Sequence, residues 1–233
     1  MKPLLFICLL VGLSACRVTQ PYSILFANPN IQRIGPNTLK ISGVMGLGSI
    51  GYFKDRVPDN STLEANGLRG GSVSETVEIA SDMNRRGIDM TVTGHCSSAC
   101  ANYMAAGAKH LTVKNQGVLL FHGGSVSLHL DELNTCGGPD ACPIETLQNF
   151  NSQLAGEVAF LRKYHLNANF LIFSGKVTAD PSDNRLWAPT VHELACYGLD
   201  PASFPQDYPP PGNYITAKDL SPEQQKELKT LCP

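Results

Sequence analysis

The chain alternates short apolar runs of strand period with longer runs of helix period, separated by glycine- and asparagine-rich turns. "TLKISGVM" (Thr38–Met45) alternates apolar and polar positions like a half-buried strand. "GLGSIGYFKDRV" follows as a glycine-led turn into a short helix. "STLEANGL" (61–68) reads as a weak strand running into "RGGS" (69–72). In "SVSETVEIASDMNRRG", Val73, Val77, Ile79, Ala80 and Met83 fall near helical spacing, with Gly87 as the stop and Glu75 and Asp82 on the solvated side. "IDMTVTG" predicts a strand, "SACANYMAAGAKH" a small-residue helix stopping near Gly107, and "LTVKNQGVLLFHGG" two short strands and a turn. Residues 125–142 are largely polar or glycine-rich and read as an excursion. "PIETLQNFNSQLAGEVAFLRKYHL" (143–166) is the longest helical pattern, with Pro143 at its start and Glu145 in its first turn. "WAPTVHELACYGL" reads as a strand or loop, then a short helix ending at Gly198. "SPEQQKELKTLC" reads as a polar helix opened by Ser221 and Pro222. Strands alternating with helices predict an α/β fold, with a mostly parallel sheet and flanking helices.

At 233 residues and 42% hydrophobic, the chain has material for one core of ordinary size. Its net charge of −2 gives no reason to expect a nucleic-acid partner. The first residues, "MKPLLFICLLVGLSAC", pair one lysine with an apolar run too short to span a bilayer, which is the make-up of an export signal. "LSAC" resembles the bacterial lipobox, which implies cleavage before Cys16 and a thioether lipid on that cysteine. Arg17 is not the aspartate that resembles an inner-membrane retention signal. The expectation is therefore a lipid-anchored envelope protein at the outer membrane, facing the periplasm. The chain then divides into a signal peptide (1–15), a tether (16–37), a folded domain (38–205) and a tail with a short helix (206–233).

Export puts the domain in an oxidising compartment. Of eight cysteines, six remain once Cys8 is cleaved away and Cys16 carries lipid: Cys96, Cys100, Cys136, Cys142, Cys196 and Cys232. Six cysteines allow 15 pairings, and the sequence alone leaves the choice open. Loop-closure entropy favours Cys136 with Cys142 across "CGGPDAC". Cys96 and Cys100 suit an i,i+4 clip, which leaves Cys196 and Cys232 to staple the tail. A zinc reading is weak, because Cys-x3-Cys lacks a second ligand pair at matching spacing, and no metal or other cofactor is expected.

Two junctions share a strand–turn–helix design. In "RGGS", Gly70 and Gly71 permit a sharp turn that exposes N–H groups at a helix start. In "GHCSSAC", Ser98 sits at the next helix N-terminus, where its Oγ points outward and the following N–H groups face what it attacks. His122 ends the apolar strand "VLLFHGG" and is a candidate general base. Taken singly, such features are more often an N-cap serine and a structural histidine. His95 lies on the strand-to-turn segment and is expected to point elsewhere.

Taken in order, Gly70-Gly71, a helix from about Val73, Gly94 through Ser98, "MAAGAK" and "LLFHGG" resemble the proteolytic subunit of the Clp protease, within the Clp/crotonase superfamily. "ELACYGLD" (193–200) is similar to that family's C-terminal pattern, and the resemblance covers roughly two-thirds of the mature chain. An exported branch with cysteines flanking the serine is closer still. The resemblance implies the superhelical ββα-unit fold, Ser98 as nucleophile, His122 as base, and the N–H groups of Gly71 and Ala99 as the oxyanion hole. The third member is less defined. A gapless alignment puts Leu186 there, with Asp183 the nearest carboxylate and Asn184 a neutral alternative. The family's ring assembly through its long helix leaves a homo-oligomer open. The functions implied are a serine hydrolase acting on a peptide or protein, a crotonase-like acyl-thioester enzyme, or an inactive lipid-tethered binding module. Export weighs against coenzyme A thioesters, and Ser98 with His122 would be unexplained in that case.

Overall fold

The computed structural model describes residues 27–233, so the expected signal peptide and Cys16 lie outside the described residues. The chain forms an α/β domain whose sheet is parallel except at one edge. Strand β1 (Asn30–Arg33) pairs antiparallel with β2 (Thr38–Met45), and β2 pairs parallel with β3 (Thr62–Gly71). Residues 30–33, expected to be tether, therefore belong to the sheet. Between β2 and β3 runs α1 (Ser49–Arg56), and after β3 comes α2 (Val73–Arg85), capped by the Ser72 side chain.

Beyond β3 the sheet branches. The first half of β3 pairs with β4 (Asp89–Val92), and β4 pairs with β6 (Leu111–Val113). At its far end, Leu68 of β3 pairs with Cys96 of β5 (His95–Ser97), and β5 pairs with β7 (Val118–Leu120). Two register shifts in β2 against β3, with Gly67 and Gly70 at positive φ, let β3 serve both branches. Leu39 and Ile41 of β2 and Leu63 and Ala65 of β3 alternate into the core as strand period requires.

After β5 the chain makes a π-helical turn (Cys100–Met104) that continues into α3 (Ala105–Gly107). The excursion after His122 is not irregular throughout: it contains α4 (Ser125–Leu128) and α5 (Leu130–Asn134). The long pattern at 143–166 is two helices, α6 (Ile144–Phe150) and α7 (Ser152–Lys163). Asn151 causes the break. Its extended backbone ends α6, while its side chain accepts from the N–H groups of Gln153 and Leu154 to start α7.

Helix α8 (Ala168–Val177) was not legible as a helix; it is apolar nearly all round and buried. It packs Phe170 against Trp187 and Tyr197, with ring centroids 4.9 Å apart in each case, and against Phe121 at 5.3 Å. Trp187 bridges Phe121 on one side and Ile215 on the other. Helix α9 (Val191–Tyr197) starts with a capping box at Thr190 and stops at Gly198. Helix α10 (Pro222–Leu231) closes the chain. Asp82, expected to be solvated, is buried and paired with Arg86. No helix among the described residues is long and apolar enough to cross a membrane.

Three disulfides join Cys96 to Cys100, Cys136 to Cys142 and Cys196 to Cys232, with Cα atoms 5.4, 4.9 and 5.6 Å apart. The last closes the longest loop, a separation of 36 residues, and fixes α10 to α9. The Cys196→Ser, Cys232→Ser double variant should therefore lose about 2–4 kcal/mol of stability in urea unfolding of the oxidised protein, with its midpoint lowered.

Candidate functional site

The site is assembled where β3, β5 and β7 end together. Ser98 follows β5 directly and adopts φ +59°, a left-handed conformation that costs a non-glycine residue on the order of 1–3 kcal/mol. Neighbours hold it there. Its N–H donates to Leu120 O at 2.8 Å, its C=O accepts from Asn102 N at 2.8 Å, and the Cys96–Cys100 disulfide spans the turn. Two residues after Leu120, His122 places Nε2 2.6 Å from Ser98 Oγ, within hydrogen-bond reach for proton transfer.

The glycine junction packs against the serine junction. A Cβ on Gly70 would lie 2.5 Å from Ala99 N and 2.8 Å from Ser97 O, so only glycine permits this approach. A Cβ on Gly71, at φ +143°, would lie 2.0 Å from Met45 O. Ser72 N donates to that same Met45 oxygen at 2.7 Å. Ala99 precedes the π-helical turn, where early N–H groups have no partner within the helix.

His122 is steadied through its backbone. Phe121 N donates to Trp187 O at 2.7 Å, and Trp187 N donates back to Phe121 O at 3.0 Å. Asn102 Nδ2 donates to His122 O at 3.0 Å, while the Tyr197 hydroxyl donates to Asn102 O. Burial lowers the His122 pKa from its ordinary value of 6.5, and a hydrogen bond with the Gly123 backbone partly opposes this.

Asp183 is not brought to His122. Its carboxylate accepts from Arg185 N at 2.9 Å and pairs with the Arg185 guanidinium at 2.8 Å, which lowers its pKa. The carboxylate therefore serves its own loop. Asn184 and Leu186, its neighbours, line the cleft instead. Among the described residues, no carboxylate bonds the His122 ring.

Ser98 and His122 open into a cleft of about 1140 Å³, which Gly71, Leu47 and Gln153 also line. His95, expected to point elsewhere, lines it as well, as does Arg69. Arg185, also on the wall, is paired with Asp183 and lies 3.7 Å from Asp219. Arg69 makes no ion pair among the described residues, and no aspartate or glutamate lines the cleft. Arginine on an exposed strand end carries no chemical signature in sequence, so its place at the cleft was not legible. Among the described residues, no group of three or more His, Cys, Asp or Glu side chains could hold a metal ion.

No family model matches the chain. No curated protein matches it. Among solved structures, the chain is similar to a putative enoyl-CoA hydratase/isomerase from Novosphingobium aromaticivorans DSM 12444, at 13% identity and a TM-score of 0.33, over 88% of this chain and 90% of that one.

Proposed function

We propose that the protein is a serine hydrolase of the cell envelope, most simply a peptidase. The observation that carries this reading is the 2.6 Å contact between His122 Nε2 and Ser98 Oγ at an open cleft. Ser98 Oγ bonds to the acyl carbon and passes its proton to His122 Nε2, while the carbonyl π electrons move onto oxygen. The N–H groups of Gly71 and Ala99 hold that oxyanion. His122 then returns the proton to the leaving amine or alcohol as the acyl–leaving-group bond breaks. Water, deprotonated by the same histidine, releases the acid from Ser98. The base works without a carboxylate on its ring, which lowers rate without removing the chemistry. Lipid on Cys16 tethers the domain at the outer membrane facing the periplasm, where the three disulfides persist.

A neutral fluorophosphonate should label the folded, oxidised protein at Ser98, and Ser98→Ala should abolish the labelling in mass spectrometry. Clean absence of labelling in folded protein would overturn the hydrolase reading and leave an inactive binding module. Mass spectrometry of the mature N-terminus tests the anchor, and an unlipidated terminus away from Cys16 would overturn it.

The base must be neutral to accept a proton, and His122 has a lowered pKa. The His122 ring should therefore titrate, by NMR of the folded protein, with a midpoint below the ordinary histidine value. A midpoint above 6.5 would contradict a buried base.

The cleft charge points to the substrate. With no ion pair to Arg69 and no carboxylate on the wall among the described residues, an acyl compound bearing a negative charge is favoured over a neutral one. A carboxylate-bearing ester should be cleaved about 10-fold better relative to its neutral counterpart than in Arg69→Gln, with the gap shrinking as salt rises. Equal ratios in both proteins would remove Arg69 from the account.

A further inference from the structure

We propose that Glu157 is a positioning residue that clamps the segment following Ser98 to the segment following His122. Glu157 lies on α7 and is fully buried, with no part in the proton transfer described above. Its Oε1 accepts from the hydroxyl of Tyr103, on the π-helical turn that Ser98 leads into. Its Oε2 accepts from Val126 N at 2.9 Å, four residues beyond His122. Ser125 also bonds the carboxylate, and Gln153 Nε2, from the cleft wall, donates to Ser125 Oγ at 2.7 Å.

The packing around the clamp is tight. A Cβ on Gly124 would lie 1.9 Å from Glu157 Oε1 and 2.5 Å from Tyr103 Oη, so the loop after His122 rests directly on the pair. One carboxylate thus touches both arms that hold the reacting atoms.

The clamp is also sensitive to pH. An ionised carboxylate only accepts, which suits Tyr103, Val126 and Ser125 together; a protonated one turns one oxygen into a donor and a poorer acceptor, which weakens the bonds made there. Burial pushes Glu157 up to about 7, opposed by its bonds to Tyr103, Val126 and Ser125. The titratable groups that feel its charge are the phenols of Tyr103 and Tyr197, both raised first by burial and then by the Glu157 carboxylate; among the described residues no lysine, arginine or histidine bonds it. The clamp should therefore be complete above neutral pH and loosen as pH falls through it.

The inference deepens the hydrolase reading, and two readouts separate them. NMR of the His122 ring in the oxidised protein should show its own titration plus a second inflection near pH 7, and Glu157→Gln should remove the second. At pH 8, Glu157→Gln should slow the maximal rate of fluorophosphonate labelling by about 10- to 100-fold with half-saturation unchanged. Tyr103→Phe keeps the ring, removes one contact and should slow labelling less, which guards against a Glu157 variant that fails to fold. An absent second inflection, or maximal rates and pH profiles unchanged in both variants, overturns the clamp. Unlabelled wild-type protein overturns the hydrolase reading, while the NMR titration still reads the clamp.

Discussion

The parallel register between β5 and β7 is the constraint on which the site depends. Ser97 sits opposite Leu120, and the next ladder bond, from Ser98 N to Leu120 O, is made by the first residue outside the strand. That bond puts the serine in a left-handed turn and leaves the histidine two residues further along the partner strand. A slip of one residue would send His122 to the opposite face of its strand. Ser98 Oγ and His122 Nε2 meet because two strands of three residues each are paired in one way only.

Everything around that pairing reads as reinforcement. The glycines of β3 allow a third backbone to press on the serine junction, so the site has a floor of main-chain atoms rather than flexible side chains. The aromatic cluster of Phe121, Phe170, Trp187 and Tyr197 anchors the residue just before the histidine. Asn102 reaches from the π-helical turn after Ser98 to the carbonyl of His122. The ring of His122 is thus aimed through its backbone and by burial, where a carboxylate on Nδ1 would otherwise do so.

The parts legible in sequence were those set by local backbone chemistry. Gly70 and Gly71 announce a turn that side chains cannot make, and Ser98 and His122 stand at strand ends where alternation stops. The mostly parallel sheet and most helices followed from periodicity, and the tail disulfide is the pairing left once the two local ones are made. Long-range partners were not legible. Asp183 is close to the expected position along the chain but satisfies itself on Arg185. Asp82 has the spacing of a surface residue, yet Arg86 accompanies it inward. Glu157 occurs in a polar-looking helix, and only the fold shows Tyr103 and Val126 waiting for it. Asn151 could equally end or begin a helix, and it does both.

The Cys96–Cys100 bridge has a consequence for the history of the molecule. Ser98 is held in a conformation that it would not choose, inside a covalent ring of five residues. Before that ring closes, hydrogen bonds alone oppose the relaxation of the turn; afterwards the chain cannot straighten there without breaking a covalent bond. Oxidation is then the finishing step of the elbow itself. On the proposed reading, a copy retained in a reducing cytosol carries the same residues with an unfinished nucleophile, and the compartment that receives the protein also completes its site.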